Sequence, residues 1–367
     1  MIALTETGKL TMFKPKVSLV FPCWHAAKHM KHVLEDLQAQ TFKDFEAILV
    51  NDGDDGQVEA MEAIAAQDSR IRIVNLSQNS GVAAARNAGT DAATTEWVAY
   101  PDSDDRFGPN YLKSLYEAVD GTEVDLVCGG YTVLHMNIGR YEHHYIETNK
   151  SPITVNIADG YEKMLSSYTA ANTWNKLYNK KLIIDHKLKQ DINFINGQDI
   201  CFNLSYYPFV KQVGLVCNCD YLYHYSIYNT NWSRYNPNWM KNHLQIIKMQ
   251  EELHRQIGWV EQRIIEYRDK TISYDCLKMF KNLFEVNSPL TIREAENKIE
   301  IELLHEPMVV NAILQQNFGK DRIMKLIQYL IRKGKAYQLS VTFMVLVNGK
   351  RLYGKLYNMM KPFFRGE

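Results

Sequence analysis

Three carboxylates stand within four residues at Asp102-Ser103-Asp104-Asp105. Crowded together they repel one another unless a counter-charge is bound. A divalent cation such as Mn²⁺ or Mg²⁺ suits them, because it takes one or two carboxylates and fills its other positions with water and phosphate oxygens. Taken by itself, the run also suits a surface turn whose aspartates cap the helix near Pro109. A further acidic group, Asp52, lies in Asn51-Asp52-Gly53-Asp54-Asp55-Gly56, where two glycines permit sharp turns and close backbone approach. Its carboxylate can accept hydrogen bonds from a nucleobase or ribose, although Asp-Gly alone is an ordinary turn. Arg86 follows in Asn79-Ser80-Gly81-Val82-Ala83-Ala84-Ala85-Arg86-Asn87-Ala88-Gly89. Small residues there let a helix pack tightly on a sheet while the guanidinium reaches a cleft, to pair with Asp52 or meet a nucleotide. Without its neighbours, such an arginine reads first as a solvated helix residue.

These groups need elements to hold them. Short apolar runs at Val17 to Phe21, Phe45 to Val50, Ile71 to Leu76, Trp97 to Tyr100 and Val124 to Cys128 predict strands. Between them, Met30 to Gln40, Val58 to Gln67, Val82 to Ala93 and Tyr111 to Val119 predict helices, with Pro109 placed to open the last. The alternation predicts an α/β fold with a mostly parallel sheet covered by helices. Open sheets of this kind bind ligands beyond the carboxyl ends of their strands. Pro22, Asn51-Asp52-Gly53, Ser77-Gln78-Asn79 and Asp102-Ser103-Asp104-Asp105 each follow a strand, so polar and acidic groups gather at one edge.

After residue 131 the pattern is mixed and rich in aromatics, and beyond Asn238 it turns helical, with Asn242 to Gly258 and Val260 to Phe284 as helices. The expected division is an extension at 1–16, an α/β domain at 17–235 with halves 17–130 and 131–235, and a helical region at 236–367. The last part, 320–367, is a basic tail.

The 367 residues carry 42 basic and 42 acidic groups, so net charge points to no partner and nucleic acid is not expected. From Lys320 onward, however, eleven Lys and Arg face only Asp321 and Glu367. Within that tail Ile323, Met324, Leu326, Ile327, Leu330 and Ile331 recur at helical spacing among Lys325, Arg332, Lys333 and Lys335. Such a helix suits an anionic membrane surface, and equally suits packing on the protein with a solvated basic face. Leu339 to Val347 is too short to span a bilayer. Met1 to Lys16 lacks a signal-type apolar core, so the expected location is cytoplasmic, with peripheral contact at the inner face of the membrane. Six scattered cysteines read as reduced thiols.

In combination and in order, Pro22, Gln40-Thr41-Phe42-Lys43-Asp44-Phe45-Glu46, Asn51-Asp52-Gly53, the segment from Asn79 to Gly89 and Asp102-Ser103-Asp104-Asp105 resemble family 2 of the glycosyltransferases, over about residues 17 to 120. The resemblance resumes at Asn172-Thr173-Trp174-Asn175-Lys176-Leu177-Tyr178 and at Asn196-Gly197-Gln198-Asp199, similar to the family's Gly-Glu-Asp. It implies the Rossmann-like GT-A fold, an inverting reaction and a divalent cation, with UDP as the default donor nucleotide. Residue by residue it implies donor contacts at Pro22, Asp52, Arg86, Asp102 and Ser103. It further implies metal binding at Asp104 and Asp102, and general-base catalysis at Asp199. Asp105, Lys176, Gln198, His224 and Arg234 match more loosely; His224 and Arg234 fall in segments implied near the donor diphosphate, and His224 reads equally as a structural histidine. Read structurally, Asp199 equally suits the N-cap of a helix from Ile200 to Tyr207. Asn51 replaces a frequent aspartate and Gln198 the usual glutamate, which keeps hydrogen bonding but removes charge.

The expected partners are a nucleotide-sugar donor and a glycan or lipid-linked saccharide acceptor. The rivals are a sugar nucleotidyltransferase and a catalytically silent glycan-binding or scaffold protein. Phe21-Pro22-Cys23-Trp24-His25 after the first strand lacks the glycine-rich loop that the first rival needs.

Overall fold

A strand that is apolar on both faces needs cover on both faces, and Val17-Ser18-Leu19-Val20-Phe21 sits at the centre of a layered core. The computed structural model describes residues 2–4, 10–12, 14–194, 196–226, 235–284 and 288–352. Arg234 and the segment Asn231-Trp232-Ser233 lie outside the described residues, as does the basic tail beyond 352. The chain divides into two compact units, 1–227 and 228–367.

In the first unit a small antiparallel pair, β1 (Ile2–Leu4) and β2 (Leu10–Met12), precedes the main strands. These are β3 (Val17–Cys23), β4 (Phe45–Asn51), β5 (Ile71–Asn75), β6 (Trp97–Ala99), β7 (Arg106–Phe107), β8 (Leu126–Gly129), β9 (Tyr131–His135) and β10 (Arg140–His144). They continue with β11 (Ile153–Asn156), β12 (Lys176–Asn179), β13 (Gln212–Val216) and β14 (Tyr221–Tyr225). The eight-stranded sheet runs β11-β13-β8-β12-β6-β3-β4-β5, with only β11 and β12 antiparallel to their neighbours. A second, four-stranded sheet runs β10-β9-β14-β7, its strands interleaved along the chain with those of the first.

The helices of this unit are α1 (Met30–Ala39), α2 (Val58–Ala65), α3 (Val82–Ala92), α4 (Tyr111–Tyr116), α5 (Ile157–Ser166), α6 (Lys180–Asp185) and α7 (Gln198–Tyr206). The mostly parallel sheet flanked by helices is the architecture expected from the sequence. Gly89 shows why α3 carries small residues: a Cβ there would come within 2.2 Å of the Val20 side chain. Buried Gln40 ties the end of α1 to the following corner, donating to Asp36 O and Gly108 O and accepting from Leu112 N–H.

Two local expectations change. Pro109 does not open α4; Asn110 precedes the helix, and the Pro109 carbonyl accepts from the Thr41 N–H instead. Nor does Asp199 cap a helix from Ile200. Gly197 occupies the cap with φ 85°, a left-handed conformation that favours glycine, and places Asp199 in the first turn of α7.

The second unit is helical, with α8 (Trp239–Gln256), α9 (Glu261–Asn282), α10 (Ile292–Lys298), α11 (Pro307–Gln315), α12 (Arg322–Arg332) and α13 (Ala336–Leu352). The apolar stripe of α12 belongs to this unit's own core: Met324, Ile327, Leu330 and Ile331 are buried there beside Leu339 and Phe343 of α13. Most of the stripe is therefore covered by protein, although Leu326 is 41% exposed, and Lys325, Arg332, Lys333 and Lys335 face solvent. Among the described residues, no helix is long and apolar enough to cross a membrane.

Candidate functional site

Where β4 ends, Asn51 and Asp52 fix the local backbone. Asn51 accepts from Gln57 Nε2 at 2.7 Å and from Asp54 N–H at 3.0 Å, and donates to Asn75 Oδ1 at 3.1 Å. An aspartate could not make that last donation, which gives a physical reason for the amide at this position. Asp52 is buried, and its two carboxylate oxygens accept from the N–H groups of Ser80 (2.7 Å) and Gly81 (2.8 Å) just ahead of α3. Gly53 makes this approach possible: its φ is +68°, and a Cβ would stand 2.2 Å from the Gln78 carbonyl carbon.

Arg86, on α3, is not solvated. Its side chain is 3% exposed, and its guanidinium donates to Asp102 Oδ1 at 2.8 Å and to Asp199 Oδ1. It also donates to Gln190 Oε1 at 3.4 Å. The expected pairing with Asp52 does not occur, because the backbone of Ser80 and Gly81 occupies that carboxylate. Arg86 instead joins Asp102, after β6, to Asp199, 113 positions further along the chain than itself. Desolvation works against the buried guanidinium's charge, but its two carboxylate partners outweigh that and raise its pKa.

The three aspartates of the run have three environments. Burial and the neighbouring charges of Asp104 and Asp199 push the Asp102 carboxyl up to about 6, against the pull of Arg86. Asp104 is exposed, and its carboxylate accepts no hydrogen bond among the described residues. Asp105 is buried and accepts from the Tyr221 hydroxyl and the His224 N–H, both at 2.8 Å; burial raises its pKa well above the carboxylate range. The Tyr221 hydroxyl in turn accepts from the Asp102 N–H at 3.1 Å, so it braces both ends of the run. Tyr221 was not singled out in the sequence, although it begins the alternating Tyr221, Tyr223, Tyr225 of β14.

Ser103 donates to the Pro22 carbonyl at 3.3 Å, joining the acidic run to the end of β3, and its own carbonyl meets His32 Nε2 at 3.3 Å. His224 lies at the same edge, its Nδ1 3.1 Å from the Asp104 carbonyl. Lys176 turns inward: fully buried, it donates to the carbonyls of Thr169 (2.6 Å) and Asn172 (2.5 Å) and to Asn175 Oδ1 (3.0 Å). Burial depresses its pKa. Gln198 opens α7 beside Asp199. The structure thus brings Pro22, Asp52, Arg86, Asp102, Ser103, Asp104, Asp199 and His224 to the carboxyl-end edge of the parallel strands, while Asp105 and Lys176 serve as internal braces. An open recess of 620 Å³, lined by Glu96, Asp120, Asp125 and Lys211, contains none of these residues.

One guanidinium faces two carboxylates here, with a third, Asp104, next to them. That donor set is short of positive charge, and it fits a hard divalent cation that takes few protein ligands and completes its shell with phosphate and water. Among the described residues, no group of three or more acidic, His or Cys side chains is placed to hold a metal ion by itself.

Residues 18–190 match the family model described as "Glycosyl transferase family 2". EpsH of Bacillus subtilis (strain 168) is 30% identical over 227 residues, 59% of this chain and 62% of that protein. The cholesterol galactosyltransferase of Borreliella burgdorferi is 27% identical over 218 residues, 57% of this chain and 60% of that protein. The chain spans less than two thirds of these relatives' own length. Among solved structures, that of S. aureus TarS 1-349 in complex with UDP superposes with a TM-score of 0.62 at 15% identity, over 91% of this chain and 92% of that one, which is a likeness of fold.

Proposed function

We propose that the chain, whose residues 18–190 match the glycosyl transferase family 2 model, is an inverting glycosyltransferase of that family. It moves a sugar from a nucleotide diphosphate, with UDP as the proposed nucleotide, to a hydroxyl of a glycan or lipid-linked saccharide. The observation that carries this reading is the Arg86 bridge between Asp102 and Asp199, which ties the donor half of the site to its base.

Arg86 holds Asp199 by Oδ1 and leaves Oδ2 without a protein partner among the described residues. In the proposed reaction Oδ2 takes the proton of the acceptor hydroxyl as that oxygen attacks the anomeric carbon. The new carbon–oxygen bond forms as the bond to the diphosphate breaks, and the bonding pair leaves with the diphosphate. Attack from the far face inverts the anomeric centre without a covalent enzyme intermediate. Asp52 holds the Ser80-Gly81 backbone in shape at the nucleotide end, and Ser103 fixes the acidic run to Pro22. Asp104 and Asp102 would hold Mn²⁺ or Mg²⁺, which supplies positive charge against the leaving diphosphate oxygens.

The exposed basic face of α12 supports a weaker peripheral contact with anionic lipid, by charge alone. The test of the main reading is a panel of nucleotide sugars and saccharide acceptors followed by NMR of the product. Inverted anomeric configuration is expected; retention would overturn the role given to Asp199, and absence of transfer from every donor would favour a silent glycan-binding protein.

A further inference from the structure

Tyr168 combines a left-handed backbone with a large exposed aromatic ring. It lies just past the end of α5, with its N–H on the Leu165 carbonyl and the Thr169 N–H on the Met164 carbonyl, and its φ is +58°. This is the helix-ending position where glycine is the ordinary residue, because any Cβ is strained there. Yet the residue is a tyrosine, and it is 73% exposed. A bulky side chain held in strain while packing little of its own surface points to a role outside folding.

The loop that carries it is fixed from beneath. Lys176 donates to the Thr169 and Asn172 carbonyls. Asn203, on the helix of Asp199, donates to the carbonyls of Ala170, Ala171 and Asn172 at 2.9 to 3.2 Å. The Tyr168 carbonyl accepts from the Tyr131 hydroxyl at 3.3 Å. The Tyr168 ring meets the His144 ring edge-on at 5.6 Å, and His144 stacks on Tyr131 at 4.8 Å. Tyr131 abuts Trp174 at 4.5 Å, and Trp174 stacks on Tyr221, whose hydroxyl braces Asp102 and Asp105. An unbroken aromatic column therefore runs from the acidic run to an exposed ring.

We propose that Tyr168, supported by His144, is a stacking subsite for a pyranose ring of the acceptor saccharide. The C–H face of a pyranose is apolar and faintly positive, which suits the negative face of an aromatic ring, while its hydroxyl rim stays in water. Pre-organising that ring on the loop tied to the helix of Asp199 sets the acceptor relative to the base at little ordering cost on binding. The inference rests on the transferase reading for the word acceptor, but not for the sugar.

The test uses the full chain and three probes: methyl β-D-glucopyranoside, methyl β-D-galactopyranoside and methyl N-acetyl-β-D-glucosaminide, observed by saturation-transfer NMR. Transfer to the ring C–H protons of at least one probe is expected. Tyr168→Phe should preserve it, and Tyr168→Ala and Tyr168→Gly should weaken binding by ~10-fold. Tyr168→Gly should keep the Tm at or above that of the parent, since it relieves the left-handed strain. No transfer from any probe, unchanged transfer in Tyr168→Ala, loss in Tyr168→Phe, or a large fall in Tm for Tyr168→Gly would each overturn the subsite. A parallel UDP titration separates the two readings: failure to bind UDP with sugar transfer intact counts against the transferase, not against the subsite.

Discussion

The two ends of the same sheet treat their carboxylates in opposite ways. Near the amino ends of β3 and β4, Glu46 is buried with every oxygen engaged. It accepts from Ser18 Oγ (2.6 Å), Thr94 N–H (2.7 Å), Thr94 Oγ (2.8 Å) and Arg72 (2.8 Å). Burial alone would raise its pKa, but these donors outweigh it and hold the carboxyl below its usual value. At the carboxyl-end edge, Asp102 shares one arginine with Asp199 and stands beside Asp104, whose carboxylate accepts no hydrogen bond among the described residues, and burial with these neighbouring charges pushes the Asp102 carboxyl up to about 6. A carboxylate that serves the fold is given its partners by the fold. A group of carboxylates short of positive charge with a raised carboxyl among them is a candidate ligand site.

The largest expected effect belongs to the deficient end. Asp199→Asn keeps an oxygen for Arg86 but cannot take a proton, so turnover should fall by ~10²- to 10⁴-fold in a transfer assay, with donor affinity by calorimetry little changed. Second comes Arg86→Met, which leaves two carboxylates facing each other without their shared cation. Because solvent reaches both carboxylates, the loss of stability should lie near or below the ~3 kcal/mol seen for broken buried pairs, measured by urea unfolding. Adding Asp102→Asn and Asp199→Asn to it should recover part of that loss; no recovery would mean that packing, not charge, is what Arg86 supplies.

The satisfied end predicts a different outcome. Glu46→Gln should lower stability by about 1 to 3 kcal/mol at pH 7 while leaving kcat unchanged. Since the folded pKa of Glu46 is depressed, its contribution is present above the unfolded value and is lost as pH falls through the folded one. The Tm gap between parent and Glu46→Gln should therefore close on acidification below about pH 4.5. A gap that widened instead would break the comparison. The smallest effect is expected for Asn51→Asp, which loses the donation to Asn75 for about 1 kcal/mol.

Much of the scaffold was legible because its strands are short apolar runs separated by helical periods, and β3 to β6 begin where those runs begin. The site was legible as a set of residues, not as a set of partnerships. Asp102, Asp104 and Asp105 are the same residue type within four positions, and only burial and distant chain segments give them three different environments. Arg86 reads as pairing with Asp52 or meeting a nucleotide until the backbone at Ser80 and Gly81 is seen to occupy that carboxylate. Asp199 suits an N-cap because aspartate often is one. The left-handed Gly197 before it takes that position and frees the side chain for Arg86. In α12 the helical period was legible, but a period alone does not say whether protein or lipid covers the apolar face.

We propose that the carboxyl-end cluster is short of positive charge because it receives a nucleotide diphosphate together with a divalent cation. Calorimetric titration of a UDP-sugar with Mn²⁺ present, on the parent chain and on Asp104→Ala, tests it most directly. Binding to the parent is expected, weakened by at least ~10-fold both in Asp104→Ala and when Mn²⁺ is withheld. Equal affinity in the parent and in Asp104→Ala, with Mn²⁺ present, would contradict it.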